Sequence, residues 1–197
     1  MADNKMLKTA GEHWVASTLA LHGWAPALTR DGIERTDILA VHVAEARTAI
    51  EVQVKTSSDG RNVDGGRGVF MLGRKGLLPS QSLHEWFVLV VLARPTPERP
   101  APEPPAAYVV PRDHASAGFW IVHQRWLTDP SVPAGRRNTP ATHGRVTADV
   151  FASYRDRWDL LSVPTPEVPV LLPEWVQAAQ RDQRFGLPPG HPWHTAA

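Results

Sequence analysis

The chain has 197 residues, 42% hydrophobic and 21% charged, and carries a net charge of +1. That length supports one domain with a full core, and the near-neutral balance excludes a globally basic nucleic-acid binder, so any cationic surface must be local. Cys is absent, which excludes disulfides and thiolate zinc sites. No apolar run approaches the roughly 20 residues of a membrane span, and the polar first residues lack the apolar core of a signal peptide, so the expected compartment is the cytoplasm.

Residues 8–21 read as a helix. Val15, Ala16 and Leu19 share a stripe at helical spacing, and Glu12 falls on the same stripe. A carboxylate on an inward face needs a partner, unless it sits near the helix start where the dipole favours it. Gly23 closes the helix. Residues 24–29 follow as a short strand, with Pro26 marking an edge, and Arg30-Asp31-Gly32 as a turn. Strands are expected at 36–43 and 49–56, which together suit an antiparallel meander flanked by a helix.

The run Ala49-Ile50-Glu51-Val52-Gln53-Val54-Lys55-Thr56 alternates strictly. Ile50, Val52 and Val54 face one way; Glu51, Gln53 and Lys55 face the other. Such a polar face is often just a solvated one. Asp37 at the head of the preceding apolar run and Glu12 upstream give it a second reading, as part of a metal and phosphodiester site. Residues 57–76 hold six glycines among Arg61, Arg67, Arg74 and Lys75, a permissive cationic loop suited to approaching a phosphate backbone.

Residues 86–93 are the most apolar run and read as a buried central strand. A proline-rich excursion over 94–105 returns into a strand at 107–111, with another short strand expected at 119–123. A second basic cluster comprises Arg136, Arg137 and Arg145. Residues 148–161 read as a helix with Thr147 as its cap and an aromatic stripe of core type. A main domain over 1–163 is thus followed by a proline-rich extension over 164–197, with a short helix at 173–185 ended by Gly186 and a loosely held tail from 187. His191 and His194 in that tail have no evident partner, and the nine His form no zinc-hydrolase spacing.

Phosphodiester hydrolysis needs a hard cation, an activated water and neutralisation of developing charge. Magnesium takes oxygen ligands, few of them from protein. In this chain Asp37 is the main carboxylate, Gln53 offers an amide oxygen, the Val54 carbonyl assists, and Glu12 completes the set. Lys55 would orient or activate the water, and Glu51 would support the ligands from behind.

Gly11-Glu12 on a first helix, Asp37, and Gln53-Val54-Lys55 before Thr56-Ser57 resemble the PD-(D/E)XK nuclease superfamily, which includes restriction endonucleases and archaeal-type Holliday junction resolvases. The Trp158-Asp159-Leu160-Leu161 segment is similar to one near the end of some bacterial members. The resemblance implies an α/β fold with a restriction-endonuclease-like αβββαβ core, a mixed central sheet flanked by helices, and Mg²⁺- or Mn²⁺-dependent cleavage of DNA. It also implies a homodimer, since two strands call for two sites, and no organic cofactor. Thr36 stands where the family has Pro, and Gln53 where it has Asp or Glu, which removes one negative charge from the ligand set. Two rivals follow: a catalytically silent relative that binds nucleic acid or a protein, and an unrelated interaction protein using its proline-rich segments.

Overall fold

The computed structural model describes residues 2–29, 35–44, 47–58, 68–93, 97, 100–101, 104–182, 186–188 and 190–194. Helix α1 (Ala2–Leu21) leads through Gly23 into β1 (Trp24–Leu28), β2 (Ile38–His42) and β3 (Ala49–Ser58). A two-residue strand β4 (Val69–Phe70) and a one-turn helix α2 (Gly73–Gly76) precede β5 (Glu85–Leu92) and β6 (Ala106–Pro111). Helix α3 (Arg112–Thr128), strand β7 (Val146–Thr147) and helix α4 (Glu174–Ala179) complete the elements used below.

The result is an α/β fold with a mixed five-stranded sheet in the order β1-β2-β3-β5-β6. The first three strands form the antiparallel meander that their alternation suggested. β5 then joins β3 in parallel, and β6 returns antiparallel to β5 across the proline-rich connection. β5 is flanked by β3 and β6 at its edges, and residues 86 to 91 are all buried, so both its faces are covered, as its unbroken apolar run requires.

Register divides the sheet into two faces. Ile50, Val52 and Val54 are buried on the face that α1 covers with Val15 and Leu19. The other face carries Glu51, Gln53 and Lys55, aligned with Glu85, Phe87 and Leu89 of β5. A Cβ on Gly76 of α2 would lie 3.4 Å from the Phe87 ring, so α2 packs on this second face. The polar residues of β3 are therefore half-buried under protein.

Several expectations are corrected. Residues 119–123 form the middle of α3, where Phe119 and Ile121 are buried against the core; a short aromatic and β-branched run does not by itself separate strand from buried helix. The helix expected over 148–161 is two 3-10 stretches, Ala148–Tyr154 and Trp158–Ser162. Between them Asp156 takes a positive φ of 54°, its N–H bonds the Ala107 carbonyl, and Arg155 bridges to Tyr108, so docking on β6 breaks the helix. Thr147 occupies the cap position without a side-chain cap bond. The last helix covers Glu174–Ala179 only.

The C-terminal residues join the same core: Val168, Leu172, Val176 and Leu187 are buried in it. His191, expected to lack partners, is 4% exposed and bonds the Ser116 hydroxyl at 3.0 Å and the Asp113 carbonyl at 3.2 Å. Among the described residues no helix is long and apolar enough to cross a membrane.

Candidate active site

Asp37 sits where β2 begins, and the backbone holds it there. Its N–H bonds the Val52 carbonyl, and its carbonyl accepts from Thr29, both at 2.9 Å. β2 pairs with β3 only from Ile38, so among the described residues no strand pairs with the edge of β3 beyond Val52 on that side. Asp37 fills the gap, accepting the Val54 N–H on Oδ2 at 2.8 Å. The N–H and C=O of one strand residue point the same way, so the Val54 carbonyl is directed to the side where the Asp37 carboxylate lies.

Glu12 reaches the same place from α1. A Cβ on Gly11 would stand 2.0 Å from the Thr56 hydroxyl, so only glycine lets the helix lie this close to β3. Lys8, one turn before Glu12, then links the two carboxylates. Its ammonium is 3.2 Å from Glu12 Oε1 and 3.5 Å from Asp37 Oδ1. Glu12 and Asp37 side chains are 19% and 18% exposed, while Lys8 remains 57% exposed at the opening. Burial pulls the Lys8 pKa down, but the hydrogen bond to Glu12 and the charges of Asp37 and Glu12 outweigh it, and the net shift is upward.

Lys55 is half-buried on the second face of β3. Burial holds its ammonium below the ordinary lysine value; Asp37 works against this, while the charges of Lys8 and Arg112 add to it. Electrostatic coupling to Asp37, Lys8 and Arg112 ties Lys55 to the same locality.

Gln53 and Glu51 are held from beneath. The Gln53 Oε1 accepts from Arg112 Nη1 at 3.3 Å. Glu51 accepts from the Thr36 hydroxyl at 3.2 Å and the Ser82 hydroxyl at 3.1 Å. Arg112, nearly inaccessible at the start of α3, also donates to the Lys75 carbonyl at 3.0 Å and lies over the Phe87 ring at 4.9 Å. Glu85 Oε2 receives both Arg112 Nε, at 3.1 Å, and Arg35 Nη2, at 3.0 Å. The Arg112 Nε–H is not aimed along that contact, which is coulombic rather than a directed hydrogen bond. Burial, with Arg35 alongside, brings the Arg112 pKa down to about 10 against the pull of Glu85, Asp113 and Glu51.

The residues singled out by the β3 motif thus lie in one neighbourhood, Glu12 and Asp37 in direct contact with a shared ammonium and Gln53 on a buried guanidinium. Arg74 and Lys75 are exposed on α2, and Arg61 and Arg67 lie outside the described residues. A groove of about 460 Å³ opens beside α2 and α3; Arg74, Arg137, Trp120 and Leu127 are among its walls, and no carboxylate is. Lys8, Arg35, Glu85 and Arg112 escaped the sequence reading. Lys8 had a usable signal in its four-residue spacing from Glu12. The others meet only through long-range packing.

Among the described residues no three Asp, Glu or His side chains gather as a ready metal cluster. A donor set of two carboxylates and one backbone carbonyl still suits magnesium, which keeps much of its water. The Lys8 ammonium is the observation that tests the fit: one cation already contacts both Glu12 and Asp37. No family model matches the chain, and no curated protein is significantly similar to it.

Proposed function

We propose that the protein is a divalent-cation-dependent endonuclease of the PD-(D/E)XK kind that hydrolyses DNA phosphodiester bonds. The observation that carries this reading is the pair Glu12 and Asp37 on one shared cation, with Lys55 half-buried on the neighbouring strand. Apart from the two-residue β4 between β3 and α2, which pairs outside the main sheet, the order α1-β1-β2-β3-α2-β5 supports the restriction-endonuclease-like core, with α2 reduced to a single turn. A cytoplasmic location and a homodimer presenting one site to each strand belong to the same proposal.

Asp37, Glu12 and the Val54 carbonyl would hold the cation. Bound there, Mg²⁺ or Mn²⁺ supplies charge neutralisation at the phosphate and acidifies water. Lys55 has two uses in this setting. Its lowered pKa raises the fraction of free amine able to accept a proton from the attacking water, and its charged form stabilises the phosphorane-like transition state. Arg74 and Lys75 offer exposed charge to the DNA backbone, and the groove beside them carries further cationic wall.

A second reading, a silent relative that binds nucleic acid or a protein, draws on the same ion pairs: Lys8 contacts both carboxylates and offsets one of their two charges, and Gln53 supplies no charge. Incubation with supercoiled plasmid, linear duplex and single-stranded DNA, in Mg²⁺ and in EDTA, separates the two. The endonuclease reading expects nicked product that appears with Mg²⁺ and disappears with EDTA. Retarded but intact DNA under both conditions favours the silent relative.

A further inference from the structure

Arg112 determines what Gln53 can do. A guanidinium has five N–H donors and no acceptor, so whichever way the amide is turned, its oxygen must be the end facing Arg112 at 3.3 Å. The surroundings hold that guanidinium in place: the Lys75 carbonyl, the Phe87 ring and Glu85 fix it on three sides, and it is 1% exposed. Glu85 cannot cancel it alone, because Arg35 claims the same oxygen. Glu51 and Asp113 add negative charge nearby but are themselves fixed by neutral donors, Glu51 by Thr36 and Ser82 and Asp113 by the Ser80 N–H and hydroxyl, so neither makes a direct contact that would turn the guanidinium away from Gln53.

A divalent cation on the Gln53 oxygen would share that oxygen with the Arg112 N–H and lie within a few ångströms of a guanidinium that cannot move away, a like-charge contact that disfavours ligation there. The NH₂ end of the amide is the end left for a ligand. We propose that Arg112 is a positioning residue that fixes the Gln53 amide so that Gln53 donates to a non-bridging phosphate oxygen of the substrate instead of ligating the cation. This rests on the endonuclease reading and changes the role of one residue within it. It also gives a physical reason for Gln at a place where the resembling family has a carboxylate, since a carboxylate has no N–H to donate.

The test uses the full chain with Mn²⁺ as probe. Mn²⁺ binding is measured calorimetrically without DNA, and nicking is followed against both Mn²⁺ and plasmid concentration, for wild type, Gln53→Ala and Arg112→Lys. The expected result for Gln53→Ala is a Mn²⁺ affinity within twofold of wild type and a kcat/KM for DNA about tenfold lower, the loss of one phosphate hydrogen bond. Arg112→Lys keeps the charge but loses the planar fork, and reproduces the same split in weaker form. A tenfold loss of Mn²⁺ affinity in Gln53→Ala, or a Gln53→Ala enzyme equal to wild type in both measurements, overturns the inference. Gln53 is half-buried on a strand, so its variant reports even where Arg112→Lys folds poorly. A wild type that neither binds Mn²⁺ nor nicks DNA overturns the endonuclease reading, and this inference with it.

Discussion

Gly11 and Thr56 touch so closely that a Cβ on the glycine would lie 2.0 Å from the threonine hydroxyl and 3.0 Å from its Cβ. The contact sets the height of α1 above β3 and with it the reach of Glu12 and Lys8. Among the described residues the Thr56 hydroxyl is buried there without a hydrogen-bond partner. Gly11→Ala should destabilise the fold by about 1–3 kcal/mol, because overpacking exceeds the gain in helix propensity. Thr56→Ala on the same background should recover part of that loss. Urea unfolding of the single and double variants checks both; a Gly11→Ala protein as stable as wild type would contradict the close packing.

Lys8 competes with any divalent cation for Glu12 and Asp37. Lys8→Met removes the competing ammonium and leaves the two carboxylates facing one another, so Mn²⁺ affinity should rise several-fold. The same variant should be less stable without metal and recover on Mn²⁺ addition, since binding to the native state stabilises it. Calorimetric titration gives the affinity and thermal unfolding gives the recovery. An affinity unchanged or weakened would show that Lys8 supports the site rather than occupying it.

His114 links stability to pH. Its Nδ1 lies 2.8 Å from the Tyr154 hydroxyl, which already accepts the Leu171 N–H at 2.8 Å and so has its own proton to give. The ring is 4% exposed and packs 4.8 Å from Trp193, and burial, opposed by Asp113 and aided by His191, lowers its pKa to about 4. The unfolded chain therefore binds more protons than the native state between about 6.5 and about 4, and stability falls as pH drops through that window. The loss is roughly 3 kcal/mol once both forms are protonated. Unfolding at pH 7, 5 and 4 should show the decline, and His114→Gln should flatten it; an equal slope in the variant would place the proton elsewhere.

The sheet was readable wherever one residue type ruled a face. Ile50, Val52 and Val54 alternate with polar partners, and the run through Val91 has no polar break, so β3 and β5 announce themselves. Phe119–His123 failed because its apolar residues fill a helix buried nearly all round, where a helical stripe leaves no contrast. The aromatic stripe at Phe151, Tyr154 and Trp158 kept a helical spacing, but pairing of Arg155 with Tyr108 overrode it. Asp37 and Lys55 could be picked from strand logic and resemblance. Arg112 could not: its partners Gln53, Lys75 and Glu85 are 59, 37 and 27 positions away in the chain, and only the packed sheet brings them to it.

The central claim is that Asp37 and Lys55 act on one phosphodiester bond with the help of a divalent cation. The most direct test is the plasmid nicking rate at saturating Mn²⁺ for wild type, Asp37→Asn and Lys55→Met, with circular dichroism confirming that each is folded. The account predicts metal-dependent nicking by wild type and a fall of at least about 100-fold in each variant, the scale expected when a group that stabilises transition-state charge is lost. Folded variants that nick within twofold of wild type would contradict it.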